Sequence, residues 1–108
     1  MADEIVVAQT TIDDEDKAMV LARGAVENHL AAGAHIDPPL TAVYWWKGRI
    51  ETTREWRISY KTSSDLLPEL ETWVAQEHTY EVPEWVVLPI VGGSDAYLSW
   101  VVDESTAK

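Results

Sequence analysis

One stretch, from Leu40 to about residue 61, constrains this chain more than any other. Leu40 to Trp46 is β-branched and aromatic, Lys47-Gly48 reads as a tight turn, and a second run starts at Arg49. In that run Ile50, Thr52, Trp56, Ile58 and Tyr60 alternate with Glu51, Thr53, Glu55, Arg57 and Ser59, the period of a strand; Arg54 interrupts the apolar side. The strand so predicted is about twice the usual 5–6 residues. A chain of 108 residues fits one domain, 1–108, and leaves no room for two cores. An arm this long outruns what such a domain can cover. Tyr44, Trp45 and Trp46 at its tip, with Trp56 further along, are therefore expected to meet another subunit, since bare paired tryptophans invite aggregation.

The remaining elements fall around this hairpin. Residues 5–10 read as a strand, and Asp13-Asp14-Glu15-Asp16 as the acidic start of a helix. Ala18, Leu21, Ala22, Ala25, Val26 and Leu30 repeat at helical spacing, with Gly33 as the predicted stop. Pro38-Pro39 requires a bulge or an edge in the strand that His35 opens. Ser63-Ser64-Asp65 is predicted to cap a second helix, with Pro68 in its first turn and Leu66, Leu67, Leu70, Trp73 and Val74 as its stripe. Trp85-Val86-Val87-Leu88 reads as a strand buried on both faces, and residues 94–103 as a last helix presenting Tyr97, Leu98 and Val101. The order is βαββαβ plus a terminal helix, the ferredoxin-like split βαβ pattern of an α+β fold.

Composition narrows the function. Eight basic against 19 acidic side chains give a net charge of −11, which disfavours nucleic acid and anionic membranes as partners. With no cysteine, disulfides, thiolate metal sites and a cysteine nucleophile are all excluded. The longest apolar stretch, residues 85–91, contains Pro89 and falls far short of the roughly 20 residues a membrane span needs. The acidic opening Met1-Ala2-Asp3-Glu4 lacks the basic segment of a signal peptide, so a cytoplasmic location is expected. Six Trp and four Tyr with no Phe favour half-wet clefts and interfaces, because these rings carry a polar edge.

Few residue patterns point to chemistry. His29, His35 and His78 do not share helical metal-pair spacing, and no nucleophile elbow, phosphate loop or dinucleotide fingerprint is present. His29 reads as a dipole partner at a helix end, and His35 as a strand residue. His78 opens a polar, ring-rich loop with Tyr80, Pro83 and Glu84. Lys61 ends the long strand, placed to bind an anion or to pair with an acid. A cleft between subunits, lined by Lys61, His78, Tyr80 and Glu84 with Trp46 nearby, is the expected working site. Any metal would have to use His nitrogens (His78 first), carboxylates such as Glu84, or the weak thioethers of Met1 and Met19.

Five segments in order resemble the CutA family of divalent-cation tolerance proteins, across roughly residues 5–102. They are Leu30-Ala31-Ala32, the aromatic Tyr44-Trp45-Trp46-Lys47-Gly48, Glu55-Trp56 with Lys61-Thr62, His78-Thr79-Tyr80-Glu81-Val82-Pro83-Glu84, and Tyr97-Leu98-Ser99-Trp100. Two departures stand out. Gly33 follows Leu-Ala-Ala where relatives often carry Cys, and Thr79 replaces a usual Pro. The resemblance implies a ferredoxin-like homotrimer similar to PII signalling proteins, a role in copper and divalent-cation tolerance, no required cofactor and no established reaction. Without the cysteine, metal binding is expected to be weak. Two other readings remain: a PII-like trimer holding a small metabolite between subunits, and an enzyme with His78 and Glu84 as acid and base and Lys61 as anion holder.

Overall fold

Strand alternation and capping chemistry set the element boundaries in the computed structural model, which describes residues 4–106. The order is β1 (Ile5–Ile12), α1 (Glu15–Glu27), β2 (Gly33–Ile36), β3 (Leu40–Trp46), β4 (Arg49–Ser63), α2 (Leu67–Glu77), β5 (Val86–Pro89) and α3 (Asp95–Glu104). Met1, named above as a weak ligand, lies outside the described residues, as do Ala2 and Asp3 of the acidic opening. The antiparallel sheet runs β2-β4-β1-β5, the ferredoxin-like order.

β4 spans 15 residues and changes partners part-way. Its first half pairs with β3, from Trp46↔Arg49 to Leu40↔Glu55. Its second half is flanked by β1, from Ile12↔Trp56 to Ile5↔Ser63, and by β2, from Ile36↔Ile58 to Gly33↔Lys61. Pro38-Pro39 divides β2 from β3, since a proline cannot donate to the ladder. At the tip Lys47 and Gly48 both take positive φ, 51° and 78°, the geometry of a tight hairpin turn that follows the strands' twist. The arm stretches the molecule to 44 × 26 × 23 Å.

The core lies on one face of the sheet. Ala8 and Ile12 of β1 and Ile58 and Tyr60 of β4 meet Ala18, Leu21, Ala22 and Ala25 of α1 and Leu70 and Val74 of α2. Gly24 lets the helices approach closely, because a Cβ there would stand 2.5 Å from the Trp73 ring. A smaller cluster joins Ile5, Ala32 and Val101, seating α3.

Several boundaries differ from the sequence reading. β1 continues to Ile12 because Thr11 and Ile12 still pair with β4. Asp14 caps α1 as anticipated, accepting from the Lys17 N–H at 2.9 Å. The helix does not stop at Gly33, however. It ends at Glu27, where His29 at φ 56° closes a Schellman motif: the Leu30 N–H donates to Ala25 O and the His29 N–H to Val26 O, both at 3.0 Å. Leu30 still packs on the core, so its apolar character extended the apparent period. Ser63 does not cap α2; a 3₁₀ turn, Ser64–Leu66, intervenes, and the Ser63 hydroxyl lies 2.8 Å from that of Ser105. β5 is not buried on both faces. All four of its residues are exposed, because β5 is an edge strand paired to β1 alone within this chain.

Candidate functional site

The covered side of β4 switches where the strand leaves the body. Ile58, Tyr60 and Thr62 are buried in the body, whereas in the arm Glu51, Thr53 and Glu55, on the opposite side, are the sheltered residues. Glu55 is 4% exposed. Its Oε2 accepts from the Tyr80 hydroxyl at 2.8 Å and from the Thr53 hydroxyl at 3.2 Å, and Thr53 in turn lies 3.4 Å from the Tyr44 hydroxyl. Burial pushes the Tyr80 phenol far above its ordinary pKa, and the hydrogen bond to Glu55 and that carboxylate's charge add to the shift. Tyr80 therefore keeps its proton and stays a donor.

His78 stands beneath this network. It follows α2, and its backbone N–H closes the helix on Val74 O at 2.8 Å. The Tyr80 backbone N–H lies 3.1 Å from the ring Nδ1, and a backbone N–H can only donate, so Nδ1 is an acceptor. Nε2 must then carry the proton that reaches Thr11 O at 2.8 Å, which assigns the neutral tautomer. Burial lowers the His78 pKa, against the bond to Thr11 and the charges of Asp13 and Glu55, which raise it. The Tyr80 ring packs 4.9 Å from the imidazole.

Above these residues a groove of about 790 Å³ opens between β3 and the loop of residues 80–84. Tyr44, Trp45, Trp46, Val82 and Pro83 supply aromatic and apolar walls, and Thr11, Glu55, Arg57, Tyr80, Glu81 and Glu84 the polar lining. Arg57 Nη1 is 3.9 Å from Asp37, while its Nε is buried with no hydrogen-bond partner. At the arm tip the Lys47 ammonium lies 5.5 Å from the Trp46 ring centre and 3.7 Å from Glu81.

The structure thus brings Trp46, Tyr80 and Glu84 to one groove and sets His78 below it as a support. Lys61 does not line the groove. It sits between Val7 and Gly33 in the sheet, its ammonium 3.5 Å from His35 Nδ1, so Lys61, His78 and Glu84 do not assemble as an acid, base and anion holder in this groove. His29 is a tether rather than a dipole partner, its Nδ1 3.1 Å from Glu104 O of α3. Glu55 and Arg57 were overlooked as site residues. Their signal was the interruption at Arg54, where the strand's covered side changes. Of the residues expected to meet another subunit, Trp45 is 72% exposed, Tyr44 is exposed, Trp46 is half-buried, and Trp56 packs on the chain's own core with Arg54 over its ring.

The donor set does not fit a tight metal centre. Both His78 nitrogens are engaged, so the His78–Glu84 ligand pair loses its imidazole. Among the described residues no three or more His, Cys, Asp or Glu group to hold an ion. Nor is any described helix long and apolar enough to cross a membrane.

Comparison with known proteins decides the lineage. The family model described as CutA1 divalent ion tolerance protein matches residues 6–104. This chain belongs to that family. Protein CutA of Mus musculus is 41% identical over 103 residues, covering 94% of this chain and 58% of the mouse protein. The divalent-cation tolerance protein CutA of Thermus thermophilus is 38% identical, covering 88% of this chain and 92% of the relative. Its crystal structure superposes with a TM-score of 0.92 at 35% identity, over 94% of this chain and 99% of that one, and CutA1 from Oryza sativa gives 0.93 at 33% identity over 97% and 96%. The chain spans about half the length of the mammalian and Arabidopsis relatives, between 52% and 58%. The relatives' names describe tolerance proteins and no reaction.

Proposed function

We propose that this CutA family chain works as a cytoplasmic homotrimer in tolerance of divalent cations, copper among them, binding the ions loosely and catalysing no reaction. The observation that carries the assembly is the apolar surface the chain leaves open: Val43, Trp45 and Ile50 on the arm, and Val86, Val87 and Leu88 on edge strand β5. Exposed strand edges of this kind are sites of pairing with another chain. Loose ion binding is supported by the net charge of −11 together with the lack of a grouped donor set. A relative from Archaeoglobus fulgidus is titled periplasmic and one from Arabidopsis chloroplastic, so fractionation is the direct check on location. Multi-angle light scattering should report about three chain masses at micromolar concentration; a single mass overturns the assembly.

A second reading, a PII-like trimer that holds a small molecule, is favoured by the groove itself, whose volume falls in the range of small-molecule sites. Trp46, Tyr80 and Glu84 line it on one subunit, and its open side leaves room for a neighbour to complete it.

A further inference from the structure

We propose that the groove between β3 and the 80–84 loop binds a small organic cation, its ammonium head seated against the aromatic faces. The inference rests on the small-molecule reading of the groove and adds the chemical class. The groove walls carry Tyr44, Trp45 and Trp46, whose ring faces are the negative pole of their quadrupoles and attract cations. Glu55, Glu81 and Glu84 add carboxylates, against the single cation Arg57, which is itself near Asp37. The chain already satisfies one ammonium this way: Lys47 lies over Trp46 and beside Glu81 at the groove's edge. An anionic ligand would face these carboxylates and the field of a −11 chain, whereas a cation is drawn in by both. A hard metal ion calls for several converging oxygen or nitrogen ligands, and the described residues do not group them. The unpartnered Arg57 Nε further selects a ligand that also bears a hydroxyl or carbonyl acceptor, since a buried donor without a partner is costly.

Choline and its uncharged isostere 3,3-dimethylbutanol test the class directly, because they share shape and hydroxyl and differ in charge. Titrations of ¹⁵N-labelled full-length protein, followed at the tryptophan indole N–H signals, should saturate with choline. The isostere should bind about tenfold more weakly. Glu84→Gln, at an exposed side chain, should weaken choline severalfold with the light-scattering mass unchanged. Trp46→Leu should do the same; should it alter the assembly, Glu84→Gln carries the test alone. Equal binding of choline and the isostere, or displacement of choline by equimolar magnesium, overturns the organic-cation class and leaves the groove as a small-molecule site. If neither compound moves the indole signals, the small-molecule reading falls with it.

Discussion

Residues 56–63 of β4 carry Ile58, Tyr60 and Thr62 on their even-numbered side; residues 49–55 carry Ile50, Thr52 and Arg54 on theirs. The two sets continue one strand and one side of its pleat, yet the first is buried and the second exposed. What differs is the cover. α1 and α2 lie over the body, where β4 is held between β1 and β2, and the arm projects past them with β3 as its partner. Alternation therefore identifies a strand and its two sides. It does not say which side is buried, which depends on what lies above each residue.

The sharpest way to break this comparison uses two isoleucines of the same strand. Ile58 is 0% exposed, within the cluster of Ala8, Leu21 and Leu70, and Ile50 is 61% exposed. Ile58→Ala should cost about 2–5 kcal/mol in denaturant unfolding, from lost burial and the cavity left behind. Ile50→Ala should change the stability of the dissociated subunit by less than about 0.5 kcal/mol. In a trimer its effect appears instead as a steeper dependence of the unfolding midpoint on protein concentration. Similar losses from both substitutions in dilute protein would mean that the arm is as well covered as the body.

How much of this was legible follows the same division. The helix starts, the Lys47-Gly48 turn and the long strand could be read, because each depends on local chemistry: Asp14 meets a free N–H, and a two-residue turn suits the strand twist. The end of α1 could not, since a histidine took the left-handed position that glycine usually fills. Exposure of β5 was hidden because a run of Val and Leu looks alike in a sheet centre and on an edge awaiting a partner. Of the site, Trp46, Tyr80 and Glu84 were found through the loop's composition. Glu55 was not, because nothing local distinguishes a sheltered glutamate from the exposed ones in so acidic a chain.

A smaller effect tests the joint between the halves. His78 links Thr11 of the body to Tyr80, and Tyr80 reaches Glu55 on the arm. Burial holds the folded His78 pKa below its unfolded value of about 6.5, so the unfolded chain takes up the proton first as pH falls. The stability His78 confers is complete above about pH 6.5 and is lost as pH falls through that value toward the folded pKa. A second proton on Nδ1 would also remove the acceptor for the Tyr80 N–H. Between about pH 7.5 and 5.5 the wild type should lose more stability than His78→Gln, whose amide does not titrate there. Equal losses would show that the joint does not titrate with His78.

The smallest effect expected is at the tip. Lys47 reaches Glu81 across the groove, but their side chains are 69% and 70% exposed and 3.7 Å apart. Exposed ion pairs contribute about 0–1 kcal/mol, and an exposed ammonium over a ring about 0.5–1 kcal/mol. Removing the charge forfeits both contacts while leaving most of the aliphatic stem's packing. Lys47→Gln should therefore cost about 1 kcal/mol or less in urea unfolding. Salt separates the two contributions, because a charge pair in water is screened over a Debye length that shrinks to a few ångströms near 1 M. The difference between wild type and Lys47→Gln should narrow between low salt and about 0.5 M sodium chloride, where most of the pair's attraction is gone. A loss above about 2 kcal/mol that persists in salt would exceed what these exposed contacts supply. It would show the arm fastened to the loop by its tip, and the contrast between a covered body and a projecting arm would have to be redrawn around Lys47.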